Sequence, residues 1–297
     1  MASPVPIGGP PLTQPPDPHP RSPGFEVPDG AIDCHIHLFG PASRFPFNPG
    51  SRYSCADALP STYIAMQKVL GLSGAVVVSG GGYGQDTTHL EEVLSEYPRH
   101  FRGVALLPDD VTVEHLARLD RLGVRGARFV SAGHSGALPR LSSKVARRVA
   151  DFGWHIQFYP ARDDLVAHAS ELLDLGMTIV LDNFAAIPAA GGIHQPAFEC
   201  LLKMLDSGRV WVKLSGPMRC DPNDFPYASV EPLARALLAH APERLLWGSD
   251  WPHVNMNGRL MPNDGDLLDL FARWVPSESM RRRILVDHPR QVYGFES

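Results

Sequence analysis

The chain has 297 residues, 44% of them hydrophobic, with a formal net charge of −5 and a pI near 6.2. That is ample apolar material for a large core, and nothing in the charge balance favours a nucleic-acid or anionic-membrane partner, which would call for a basic face. No apolar run approaches the ~20 residues of a membrane helix, and the N-terminus lacks the blocks of a secretory signal.

Residues 1–30 hold ten of the 29 prolines. Such a segment builds neither helix nor ladder and is predicted to be a disordered, solvated arm. From residue 31 short β-branched runs alternate with amphipathic stretches. "AIDCHIHLF" (31–39) is a predicted strand, followed by a helix over "STYIAMQKVLG" (61–71). Next come "SGAVVVSG" (73–80) with "TTHLEEVLSEYP" (87–98), and "FRGVALLP" (101–108) with "VTVEHLARLDRLG" (111–123). "VRGARFV" (124–130) precedes "LSSKVARRVADFG" (141–153), and "WHIQFYP" (154–160) precedes "DDLVAHASELLDLG" (163–176). "TIVLDNF" (178–184) leads to "PAFECLLKMLDSG" (196–208), and "VWVKLSG" (210–216) to "VEPLARALLAHAP" (230–242). "LLWGSDWPH" (245–253) opens the last unit, which ends in a long helical region. Several helices end in Gly or Pro, as C-terminal caps do.

Strict β/α alternation implies parallel strands with crossover helices, and eight such units close most simply into a (β/α)8 TIM barrel. Residues 31–297 are therefore predicted to form one α/β domain behind the arm of 1–30. In that fold the active site lies at the C-terminal ends of the strands. Strand 1 ends in His35 and His37, one residue apart and so on one face, with Asp33 in the same parity. Strand 8 ends in Asp250 and strand 7 runs into Arg219. Strand 4 ends with Arg128, strand 5 with Gln157 and Tyr159, and strand 6 with Asp182 and Asn183. Arginines at a barrel mouth suit carboxylate recognition. Arg52, Tyr53, His253 and Asn255 fall in loops expected to overhang the mouth, whereas His155 lies deeper in its strand. Cys34, Cys55, Cys200 and Cys220 form no CxxC or zinc-knuckle pattern and read as reduced thiols of a cytoplasmic protein. There is no GxSxG, and "SGGGYG" after strand 2 lacks the Lys-Ser/Thr of a phosphate loop.

"DCHIHLFGP" and "RFPFNPGSRYS" at strand 1, "LDNF" at strand 6, "VKLSG" at strand 7 and "LLWGSDWPH" at strand 8 together resemble the amidohydrolase superfamily. The nearest branch is the 2-pyrone-4,6-dicarboxylate lactonase group of amidohydrolase-related proteins, and the similarity spans about residues 31–297. The resemblance implies hydrolysis in the barrel mouth. Metal-dependent members hold divalent ions through the strand 1 HxH, histidines ending strands 5 and 6, and the strand 8 aspartate. The lactonase branch works without metal: the strand 1 histidines polarise the lactone carbonyl, the aspartate activates water, and arginines hold substrate carboxylates. This sequence departs from both patterns. It reads Asp182-Asn183 where the family has Asp-His, and strand 5 ends without a histidine. The strand 6 arginine of the lactonases has no counterpart in "NFAAIP".

The expected activity is thus metal-independent hydrolysis of a carboxylated lactone or similar cyclic ester. Asp250, His35 and His37 are the catalytic candidates; Arg128, Arg219, Tyr159, Tyr53, Asn183 and Asn255 are the substrate-binding ones. No cofactor is expected; the alternative is Zn2+ or another divalent ion on His35, His37 and Asp250. Competing readings are a sugar-diacid lactone isomerase, a zinc-dependent hydrolase or decarboxylase, and a barrel that only binds a small carboxylate. The expected partner is a small carboxylated molecule, and the sequence does not fix an oligomeric state.

Overall fold

Eight parallel strands wind once around a barrel in sequence order. The computed structural model describes residues 12–131, 141–161 and 164–296. The strands are β1 (Ile32–Ile36), β2 (Gly74–Val78), β3 (Phe101–Leu106), β4 (Val124–Val130), β5 (His155–Tyr159), β6 (Ile179–Leu181), β7 (Val210–Ser215) and β8 (Leu245–Gly248). Each hydrogen-bonds to the next. The ring closes where Asp250 N donates to His35 O at 2.9 Å and His37 N donates to Trp251 O at 2.7 Å. A sheet closed this way has no exposed edge.

The helices pack outside the strands, as their one-sided apolar patterns require. The first, α1 (Pro60–Leu70), starts on proline and stops at Gly71, whose φ of 73° only glycine adopts easily. A second, α2 (Val113–Arg121), is capped by Thr112, whose hydroxyl accepts from His115 N at 3.2 Å. Between strands and helices lies an apolar sleeve that includes Phe101, Leu116, Phe158, Leu201 and Phe271. Inside the barrel, Ile32, Cys34, Val76, Val78, Val104, Val180, Trp211 and Leu246 form a separate plug with Tyr293 from the C-terminal helix.

Two expectations need correcting. Strict alternation would group Asp33 with His35 and His37. The β1–β2 register shifts between Asp33 and Ile36, a bulge that reverses parity. Asp33 consequently accepts from Tyr63 OH at 3.2 Å on the helix side and from Ser249 N at 2.9 Å, while Cys34 and His35 both face inward. The second correction concerns the arm. Residues 12–30 lie against the barrel, and residues 1–11 are outside the described residues. Leu12–Thr13 pairs with Ser54–Cys55, and Thr13 Oγ1 accepts from Asn255 N at 3.1 Å. Asn263 accepts from Arg21 N at 2.9 Å and donates to Asp17 and the His19 carbonyl, also at 2.9 Å. Proline-rich chain is already extended and stiff, so docking it orders few extra torsions. Composition showed that the arm has no structure of its own, but not that the mouth loops offer it partners. Among the described residues no helix is long and apolar enough to cross a membrane.

Candidate active site

Backbone shape sets the floor of the mouth. Gly248 of β8 faces His35 so closely that a Cβ there would lie 2.7 Å from His35 N and Cβ. Glycine therefore lets β8 and β1 close on the imidazole. Asp250 follows at φ 68°, in the left-handed region that Asp tolerates better than most residues. β6 is short because the chain leaves it through four left-handed residues, Asn183 to Ala186, with φ from 49° to 54°. Non-glycine residues held there mark a site whose geometry is dictated by its surroundings.

Four side chains gather at the end of β1. His35 Nε2 lies 3.3 Å from His37 Nε2, and Asp250 Oδ1 lies 3.5 and 3.7 Å from the two nitrogens. His37 Nδ1 donates to the Val78 carbonyl at 2.7 Å. A carbonyl only accepts, so the neutral ring carries its proton on Nδ1 and shows a bare Nε2. Arg219 holds the other oxygen of Asp250 through Nε at 2.9 Å and Nη2 at 2.6 Å.

A second layer lies beneath. Asp182 Oδ2 accepts from Arg128 Nε at 3.2 Å and pairs with its Nη2 at 3.1 Å, while Arg128 Nη1 donates to the Ser79 carbonyl at 2.9 Å. Asp182 Oδ1 sits 3.2 Å from Lys213 Nζ and 3.1 Å from His35 Nδ1. Lys213 also donates to Gln157 Oε1 at 2.8 Å. His155, deeper still, stacks edge-on against Tyr293.

Burial pushes the Asp250 carboxyl up, but Arg219, then His35 and His37, outweigh it and hold it at about 2. The same contest at Asp182 is won by Lys213, His35 and Arg128, which hold it well below the carboxylate range. Burial, the His35 ring and Arg128 depress His37 to about 3. Burial also depresses His35, against the pull of Asp182. At neutral pH the site therefore holds two ionised carboxylates and two neutral imidazoles. A neutral His37, its Nδ1–H held by Val78, presents a lone pair at Nε2.

Above this floor is a cavity of about 540 Å³. His37, Asp250, Arg128, Arg219, Tyr53, Tyr159, Asn183 and Asn255 all line it, as does Arg52; His35 is fully buried below. Asn183 Oδ1 accepts from Ser215 Oγ at 2.6 Å, which leaves its amide N–H groups for the cavity. The glycines of "SGGGYG" form one wall. Gly82 N donates to Tyr53 OH at 3.2 Å, and a Cβ on Gly80 would meet that hydroxyl at 2.8 Å. The sequence did not single out Lys213, although its place at inward parity between Trp211 and Ser215 in an apolar strand was a usable signal.

Among the described residues, the cluster suited to a metal is His35, His37 and Asp250. Ligands of a tetrahedral zinc at 2.0–2.1 Å are about 3.3–3.4 Å apart, so the donor triangle has the right size. Its setting does not fit. Arg219, Arg128 and Lys213 already face two carboxylates, and a dication would add like charge to a cationic, buried cluster. The ends of β5 and β6 supply Tyr159 and Asn183, not imidazoles.

The sequence pattern of the amidohydrolase family matches residues 32–295. A 4-sulfomuconolactone hydrolase of Rhizobium radiobacter is 35% identical over 91% of this chain and 92% of its own. A 2-pyrone-4,6-dicarboxylate hydrolase of Comamonas testosteroni is 32% identical over 94% of each. A crystal structure from Pseudomonas putida, named as a candidate 2-pyrone-4,6-dicarboxylic acid hydrolase, superposes with a TM-score of 0.78 at 31% identity, covering 92% of this chain and all of that one.

Proposed function

The chain belongs to the amidohydrolase family, and we propose that it hydrolyses a carboxylated lactone or similar cyclic ester without a metal ion. The observation that carries this reading is the pairing, at one cavity floor, of an ionised carboxylate and a bare imidazole nitrogen with surrounding cations. The relatives named for lactone hydrolysis support the reaction class.

In this reading a water sits against Asp250 Oδ1 and His37 Nε2, which are 3.7 Å apart. Asp250 takes one proton as the water oxygen attacks the lactone carbonyl; His37 accepts the other hydrogen and fixes the water's orientation. His35, beneath, gives its one hydrogen to His37 Nε2 in the empty site, 3.3 Å away, and turns it to Asp250 Oδ1, at 3.5 Å, once the water occupies that lone pair. The Asn183 amide and the guanidinium of Arg128 stabilise the developing oxyanion. When the ring opens, Asp250 returns its proton to the departing ring oxygen. Tyr53, Tyr159 and Asn255 shape the walls.

Arg219 links recognition to chemistry. It binds Asp250 now, and a substrate carboxylate arriving at the same guanidinium competes for that charge. Its arrival raises the proton affinity of Asp250, so the base strengthens when the right substrate is present. Four free cysteines agree with a reducing, cytoplasmic setting.

The test is a panel of lactones, each as free carboxylate and as methyl ester, assayed in 18O-enriched water. Hydrolysis of the carboxylates with one heavy oxygen per product supports the reading. Lactone rearrangement without heavy oxygen identifies an isomerase, and equal rates on acids and esters remove Arg219 from recognition.

A further inference from the structure

We propose that Lys213 fixes the ring proton of His35 on Nε2 and so fills, with a hydrogen, the position that a divalent ion would occupy. The proposal rests on the metal-independent reading and supplies its physical cause.

It follows from counting donors and acceptors in a closed space. Lys213 is fully buried. Its ammonium has three hydrogens and accepts none. Two of its contacts have hydrogen-bond geometry: Gln157 Oε1 at 2.8 Å and His35 Nδ1 at 3.3 Å. The third is the ion pair with Asp182 Oδ1 at 3.2 Å. Asp182 Oδ1 is slightly nearer to His35 Nδ1, at 3.1 Å, but it accepts no hydrogen bond from the ring. His35 Nδ1 is therefore the acceptor of a lysine hydrogen and carries none of its own, so the ring's proton sits on Nε2.

The opposite end of the pair agrees independently. His37 is committed to Nδ1–H by the Val78 carbonyl, so its Nε2 donates nothing. The 3.3 Å contact between the two Nε2 atoms needs one hydrogen, and only His35 can supply it. The other tautomer leaves His35 Nε2, His37 Nε2 and Asp250 Oδ1 as three facing acceptors with no hydrogen among them, and strands one hydrogen of Lys213. Such a triangle repels itself unless a cation or a donor lies among the three atoms. The lysine thus decides between a proton-filled and a metal-ready site without touching the reacting atoms, which makes it a positioning residue.

The experiment uses the full chain with 15N-labelled histidine; the His35 signals are assigned by their loss in His35→Gln. In the wild type, His35 should show a protonated Nε2 and an unprotonated Nδ1. In Lys213→Met nothing donates to Nδ1, so the proton can move there, 3.1 Å from Asp182 Oδ1, and the pattern should reverse when zinc is added. Zinc affinity of that variant, read by competition with a chelating dye, should rise about 10–100-fold, the range typical of partners behind a ligand, and Lys213→Arg should keep the wild-type tautomer. A wild-type spectrum with His35 protonated on Nδ1 overturns the proposal, and it needs no variant to fold. So does a Lys213→Met protein with unchanged tautomer and unchanged zinc affinity. None of these readouts uses a substrate, so failure of the lactone reading and failure of this inference are told apart.

Discussion

Asp182 and Asp250 end neighbouring parts of one barrel mouth, and both are ionised and buried. Around Asp182, Arg128 holds one oxygen, while Lys213 and the His35 ring crowd the other. Around Asp250, Arg219 holds Oδ2, while Oδ1 faces the bare Nε2 of His37 at the cavity floor. Charge at a strand end does not by itself make an oxygen available to substrate. What matters is whether an oxygen is left for something that is not protein.

Substituting each carboxylate by its amide is the sharpest way to break this comparison. Asp250→Asn removes the proposed base and should lower kcat by about 10²–10⁴-fold while the protein stays folded and binds substrate. Asp182→Asn should act on stability instead. It leaves Arg128 and Lys213 buried without their counter-charge, a loss of about 3–5 kcal/mol, and Tm should fall by roughly 6–20 °C. Thermal melts beside kinetics separate the two. Equal stability losses at both positions would make Asp250 another structural charge.

The next effect is smaller and concerns the hold on Asp250. Arg219→Met should raise KM for a carboxylated substrate. It should also move the acid limb of kcat/KM upward in pH, because burial then acts on Asp250 with less opposition. The sign can be checked on stability as well. The folded carboxyl sits at about 2 against an ordinary 3.8, so its contribution is present above pH 4 and is lost as pH falls toward 2. In Arg219→Met that loss should begin at higher pH, as acid titration followed by circular dichroism would record.

How much of this was legible in the sequence follows from periodicity. Eight strand–helix units were readable because period-2 and period-3.6 patterns alternate cleanly. The strand-end rule then located His35, His37, Arg128, Arg219 and Asp250 without any contact being known. Lys213 was not readable as a partner of His35, because β7 and β1 meet across the barrel interior and only closure brings them together. The parity of Asp33 failed at the β1 bulge, an event that leaves no mark in hydrophobic pattern. The arm failed for a related reason: proline content reports what a segment cannot build, not what it can lie against.

The smallest effect tests that arm. Thr13→Val removes the acceptor for Asn255 N, a bond worth about 1 kcal/mol. Because Asn255 lines the cavity, KM should rise a few-fold with kcat nearly unchanged and Tm lowered by only about 2–4 °C. An unaltered KM would show that the arm covers the mouth loops without shaping them.

In the proposed reading the floor works with protons and fixed cations, not with a bound metal. The most direct measurement is lactone hydrolysis by protein treated exhaustively with chelator, with elemental analysis of the same sample. Full activity at well below one ion per chain is the expected result. Activity that disappears with the metal, and returns in proportion to zinc restored, would contradict it.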